Sequence, residues 1–136
     1  MKRSVFLLTV FLILFAGFQE SASAQPAGPP VNVIVRGELD DLQVDIQPWR
    51  VEMSQGEQLT VRIINTRRVV DRVEINNTGK PCGNASAFVR TANANRLVTE
   101  LTADLTDYPA DLWCKYNIVL KIGEEDITID PDFRIR

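Results

Sequence analysis

The chain has 136 residues, a formal net charge of −3, two cysteines and no histidine. Its mild acidity excludes the basic footprint of a nucleic-acid binder. The missing imidazole excludes catalysis with histidine as general base and any metal site that needs histidine nitrogen.

In chain order, Lys2 and Arg3 form a positive n-region and Val5 to Phe18 an apolar run. Ala22-Ser23-Ala24 then supplies small residues for a signal peptidase, so residues 1–24 read as a signal peptide cleaved after Ala24. The apolar run is shorter than the roughly 20 residues that span a bilayer. Pro26, Pro29 and Pro30 follow at once, and the cleavage site carries no cysteine for a lipid anchor. The expected location is therefore periplasmic or secreted, without stable membrane insertion after cleavage. Residues 25–30 read as a flexible proline-rich leader, and residues 31–136 as one domain.

From Val31 onward the pattern is β. Val31, Val33 and Val35 alternate, then Val44 and Ile46; Trp49, Val51 and Met53 share a face opposite Arg50 and Glu52. A Ser54–Glu57 turn leads into Leu59, Val61 and Ile63, and a further strand covers Val69 to Ile75. The Asn76–Ser86 loop is rich in Gly and Asn, residues that suit positive φ. Short strands are expected at Ala87–Arg90 and Leu97–Leu101, and one helical turn between Thr102 and Pro109. Cys114, Tyr116, Ile118, Leu120 and Ile122 make the longest apolar alternation, and Gly123-Glu124-Glu125 turns the chain into Ile127 and Ile129. Asp130-Pro131-Asp132 interrupts before Phe133 and Ile135. Proline and charge there would guard an edge strand. Seven to nine short strands separated by turn signals predict an all-β Greek-key sandwich.

Cys82 and Cys114 in an exported chain are most simply one disulfide. A closed loop of about 32 residues stabilises by roughly 3–4 kcal/mol in the chain-entropy model. Cys114 lies on the apolar face of its strand, so the bridge would pin the Asn76–Ser86 loop onto the sandwich.

The pattern Val51-x-Met53-x-x-Gly56-x-x-Leu59-x-Val61-x-Ile63-x-Asn65 resembles the early strand pair of cupredoxins. Immunoglobulin-like sandwiches produce the same turn pattern, so both folds stay open. In cupredoxins this pair precedes the first copper-binding histidine, and a cysteine and a second histidine follow near the C-terminus. This chain has no histidine, so the resemblance implies a sandwich without a type-1 copper site. Where the family's first histidine would fall stands Val69-Val70-Asp71-Arg72. Strict alternation would aim Asp71 inward toward an arginine. The preferred reading starts the strand at Arg72 and leaves Asp71 in a solvated turn.

No carboxylate group matches the spaced oxygen-ligand pattern of a calcium loop, and no serine or threonine has an imidazole to activate it. No cofactor and no catalytic residue is therefore expected. Arg67, Arg68 and Arg72 form the one basic concentration and could receive an anionic group. Lys80 would enlarge that patch, and Trp113, opposing Cys114, is the aromatic most suited to a contact surface. Asn76 and Asn84 both satisfy the N-glycosylation pattern. The expected function is a non-catalytic binding or accessory module that meets another secreted or periplasmic protein. Its contact end would gather the arginines and the Asn76–Ser86 loop. The alternatives are an inhibitor of a secreted hydrolase, a histidine-free metal handler using carboxylates, Met53 or reduced thiols, and a subunit that exchanges its terminal Asp132–Arg136 strand.

Overall fold

The computed structural model describes residues 25–77, 82–83 and 85–136; residues 1–24, expected to be a signal peptide, and Lys80 lie outside the described residues. Eleven strands form: β1 (Val31–Arg36), β2 (Gln43–Gln47), β3 (Arg50–Met53), β4 (Leu59–Asn65), β5 (Arg72–Asn76), β6 (Val89–Asn93), β7 (Val98–Ala103), β8 (Cys114–Lys115), β9 (Asn117–Ile122), β10 (Glu125–Ile129) and β11 (Asp132–Ile135). They build an all-β sandwich. One layer has the order β2-β1-β4-β7 and the other β10-β9-β5-β6, and a three-stranded sheet, β3-β11-β8, is joined in sequence to the second by the β8–β9 and β10–β11 runs. All pairings are antiparallel except β1 with β4 and β3 with β11.

The strand count exceeds the expected seven to nine because three ribbons change sheets along their length. The β2–β3 ribbon breaks at the cis Gln47-Pro48 bond and Trp49. The β8–β9 ribbon breaks at Tyr116, and β10–β11 at Asp130-Pro131. These last two breaks meet, since Tyr116 N donates to Pro131 O at 3.1 Å. Inward alternation survives the break: Cys114, Tyr116, Ile118, Leu120 and Ile122 are all buried. A period-2 pattern reports which face a residue occupies and is silent on which sheet its backbone joins.

The core lies between the layers. Val33 on β1 stands beside Ile63 on β4, Ile75 on β5 beside Ile118 on β9, and Val51 on β3 beside Phe133 on β11. Tyr108 meets Phe133 edge-on at 5.3 Å between ring centroids, and Tyr116 lies tilted against Phe133 at 5.9 Å. Cys82 and Cys114 are joined, and no free cysteine remains.

Several expectations are corrected. Trp49 precedes β3 and is 47% exposed, so it does not share the buried face of Val51 and Met53. The residue 25–30 leader is docked. Gln58 N donates to Pro26 O and Gly28 N to Gln58 O, and a Cβ on Gly28 would meet Gln58 O at 2.8 Å. Between Thr102 and Pro109 there is no helical turn: Thr102 belongs to β7, and Asp104 caps a tight turn by accepting from Thr106 N. The strand expected at Ala87–Arg90 starts later, at Val89, and the one at Leu97–Leu101 runs on to Ala103.

The terminal segment is no edge. β11 lies between β3 and β8, and Asp132 is buried with Arg50 Nε at 3.1 Å and Lys115 Nζ at 3.7 Å. A central strand has both rows of backbone groups in use and none left to exchange. Among the described residues no helix is long and apolar enough to cross a membrane.

Candidate functional site

The β2–β3 ribbon closes one half of a sandwich edge by crossing from the first layer to the sheet of β11. The other half of that edge stays open between β2 and β10, each paired on one side only. Half-buried side chains mark the gap: Leu42, Val44 and Ile46 from one layer, Ile127 and Ile129 from the other. At its upper end is a cleft of about 770 Å³ lined by Leu39, Leu42, Arg68, Val69, Asp71, Ile122, Gly123, Glu124, Glu125 and Ile127. That size lies in the range of ligand-binding pockets.

Three connections build this cleft. The β1–β2 turn carries Leu39, which is 71% exposed despite its size. The β4–β5 connection carries Arg68, Val69 and Asp71. Arg68 holds a left-handed φ of 55°, which costs a non-glycine residue about 1–2 kcal/mol. Arg68 N donates to Asn65 O and Asn95 Nδ2 to Arg68 O, which fix that conformation from both sides. The β9–β10 hairpin turns at Gly123, whose φ of 60° suits a two-residue turn.

Asp71 ties two of these connections together. Its N donates to Lys121 O, its O accepts from Ala94 N, and its carboxylate accepts from Gly123 N at 2.9 Å. The carboxylate thus sits at the surface and β5 begins at Arg72. No arginine is needed to neutralise it.

The residues singled out in the sequence do not gather into one patch. Arg67 is exposed in the β4–β5 connection, Arg68 lines the cleft, and Arg72 on β5 donates to Thr91 Oγ1 at 3.1 Å. Trp113 lies at the other end, with its carbonyl against Cys82 Sγ. β5 separates the two ends: Arg72 opens it and Asn76 closes it, about 13 Å away by strand rise. The arginines and the disulfide loop therefore occupy opposite ends, against the expectation that they meet. Sequence alternation gives strand faces, but which loops share an end follows from strand direction and order.

Trp113 is also less free than its place opposite Cys114 implied. It is 37% exposed, with Arg134 4.7 Å and Arg50 5.1 Å from its ring centroid. Arg134 and Arg136 both pair with Glu52. Burial pushes the Glu52 carboxyl up, and the two guanidiniums more than offset it, leaving it below its ordinary range. Asn76 is a poor glycan acceptor: it is buried, donates to Glu74 Oε1 and accepts from Asn117 Nδ2. Asn84 lies outside the described residues.

For metal, no three His, Cys, Asp or Glu side chains converge among the described residues. Several donors of the histidine-free metal reading are engaged elsewhere. Both sulfurs of the cysteines are bonded together, and Met53 is buried in the core. Asp104 is held by Thr106, and Asp107 accepts from Ser86 N. These hydrogen bonds keep both carboxyls below their ordinary range.

No family model and no curated protein matches the chain. The cleft is therefore read on its own geometry. Of its residues Arg68 was singled out in the sequence, whereas Leu39 and Leu42 were missed because they stand in an acidic turn, GELDDLQ, and belong to no alternating run. Two large apolar residues in such a turn were the available signal.

Proposed function

We propose that the protein is a non-catalytic secreted or periplasmic binding module whose contact surface is the open cleft between β2 and β10. The observation that carries this reading is the half-closed sandwich edge. One half is sealed by the β2–β3 crossover, and the other exposes apolar side chains of both layers beside a strained Arg68. Exposed apolar surface in a cleft is a mark of recognition, and a strained residue held by its neighbours is a further one. Export is supported by the charged n-region, the apolar run after it, and the disulfide. The cupredoxin likeness enters the proposal as scaffold without copper ligands. It is supported by β3, the Gly56 turn and β4 ending in buried Asn65, in the order that the family uses.

The test is capture of partners from a secreted or periplasmic extract by the immobilised protein. Leu39→Ser with Ile127→Ser should abolish recovery of a partner held by the wild type. Arg72→Ala, outside the cleft, should leave it unchanged. Equal recovery by the wild type and the double variant would remove the cleft from the reading.

A further inference from the structure

The cleft's electrostatics restrict what it can take. Its lining holds one guanidinium, Arg68, against three carboxylates, Asp71, Glu124 and Glu125. Glu38, Asp40 and Asp41 stand in the same β1–β2 turn as the lining residues Leu39 and Leu42, and all three are exposed. Among the described residues, none of these six carboxylates has an ion-pair partner. The acids elsewhere on the two edge strands are matched: Asp45 with Arg36 at 3.4 Å and Asp126 with Lys121 at 3.5 Å. Around the apolar opening, six unpaired carboxylates thus stand against two guanidiniums, Arg67 and Arg68, which also have no ion pair among the described residues. Glu57, Glu74, Asp104, Asp107 and Asp111 are unpaired elsewhere among the described residues.

We infer that the cleft receives an extended, basic segment of a partner protein, with apolar side chains entering between Leu42 and Ile127 and Lys or Arg side chains lying on the carboxylate rim. This inference rests on the binding-module reading and names the chemistry of its partner. β10 offers a free backbone edge on which an extended segment can pair, and alternate side chains of such a segment point to the cleft and to the rim. A second copy of this chain is disfavoured as the occupant, because it brings the same unmatched carboxylate rim and no basic segment to match it. Arg68, on the β4–β5 connection, is the one cation among the lining residues.

The test measures binding of three short fluorescent peptides to the purified disulfide-bonded protein: alternating Leu/Lys, Leu/Ser and Leu/Glu. The Leu/Lys peptide should bind, the Leu/Ser peptide about tenfold more weakly, and the Leu/Glu peptide not at all. Asp40→Asn, Asp41→Asn, Glu124→Gln and Glu125→Gln together should reduce Leu/Lys binding to the Leu/Ser level. Raising salt from about 0.05 to about 0.5 M should do the same to the wild type. Glu100→Gln with Asp130→Asn, on other surfaces, should change nothing. Equal binding of Leu/Lys and Leu/Ser, or an equal loss in the Glu100/Asp130 variant, would overturn the basic-segment inference. If binding in that case still disappears with Leu39→Ser and Ile127→Ser, the cleft remains the contact surface. If it survives that variant, the cleft reading falls as well.

Discussion

Asn65 is fully buried and commits its whole amide to backbone. Nδ2 donates to Val70 O and Ala94 O, at 3.1 and 2.9 Å, and Oδ1 accepts from Val70 N. One side chain thus fixes the β4–β5 connection and the start of the β6–β7 crossing. Asn65→Ala strands those three groups and should cost about 2–3 kcal/mol in urea unfolding. Tyr116 presents the opposite case, because its hydroxyl is buried with no hydrogen-bond partner among the described residues and burial pushes its pKa up. Tyr116→Phe should therefore leave stability unchanged or raise it by up to about 1 kcal/mol by the same measurement. The position of Asn65 at a strand end was legible, since a polar residue closing an apolar alternation invites a cap. Its partners were not, because Ala94 is distant in sequence and its carbonyl is aimed by the fold.

Among the elements, β11 shows what a central place does to a short strand. Phe133 is fully buried, beside Val51 on one side and Cys114 on the other, and touches both Tyr108 and Tyr116. Phe133→Ala should cost about 3–5 kcal/mol, read as a fall in the denaturant midpoint without change of slope. Phe133 and Ile135 alternate in the sequence, and both are buried. The adjacent Pro and two Asp residues read as edge protection because such residues mark edges on average. Here Pro131 sits at the sheet change and Asp132 is paired with Arg50 and Lys115. Faces follow from local period, whereas edge or centre depends on strands that lie far away in the chain. The same division holds for the cleft, whose apolar residues come from three connections that no local pattern links.

At the scale of the whole molecule, acid resistance is set by carboxylates that folding holds ionised. Glu52, Asp104 and Asp107 have pKa values lowered from ordinary values of 4.5, 3.8 and 3.8. A group lowered on folding contributes stability above its unfolded pKa and loses it as pH falls through the folded value. The melting temperature should accordingly be level through neutral pH and fall below about pH 4.5. Asp104→Asn with Asp107→Asn should flatten that acid limb by lowering the neutral melting temperature toward the acid one. A flat wild-type curve down to pH 3 would contradict it. With no histidine in the chain, no side chain with an unperturbed pKa titrates between pH 5 and 8.

The crossing ribbon of β2 and β3 has a mechanical consequence. Because one continuous stretch runs from β2 into the sheet of β11 at Gln47 to Arg50, that half of the edge is held shut, and only the β2–β10 half can open, like the jaws of a peg. Amide hydrogen exchange under native conditions should show this as a gradient along the β2 edge, fastest near Gln43 and slowest toward Gln47, with β10 following the same polarity from Glu125 to Ile129. Whatever occupies the jaws would flatten that gradient by wedging them at one width.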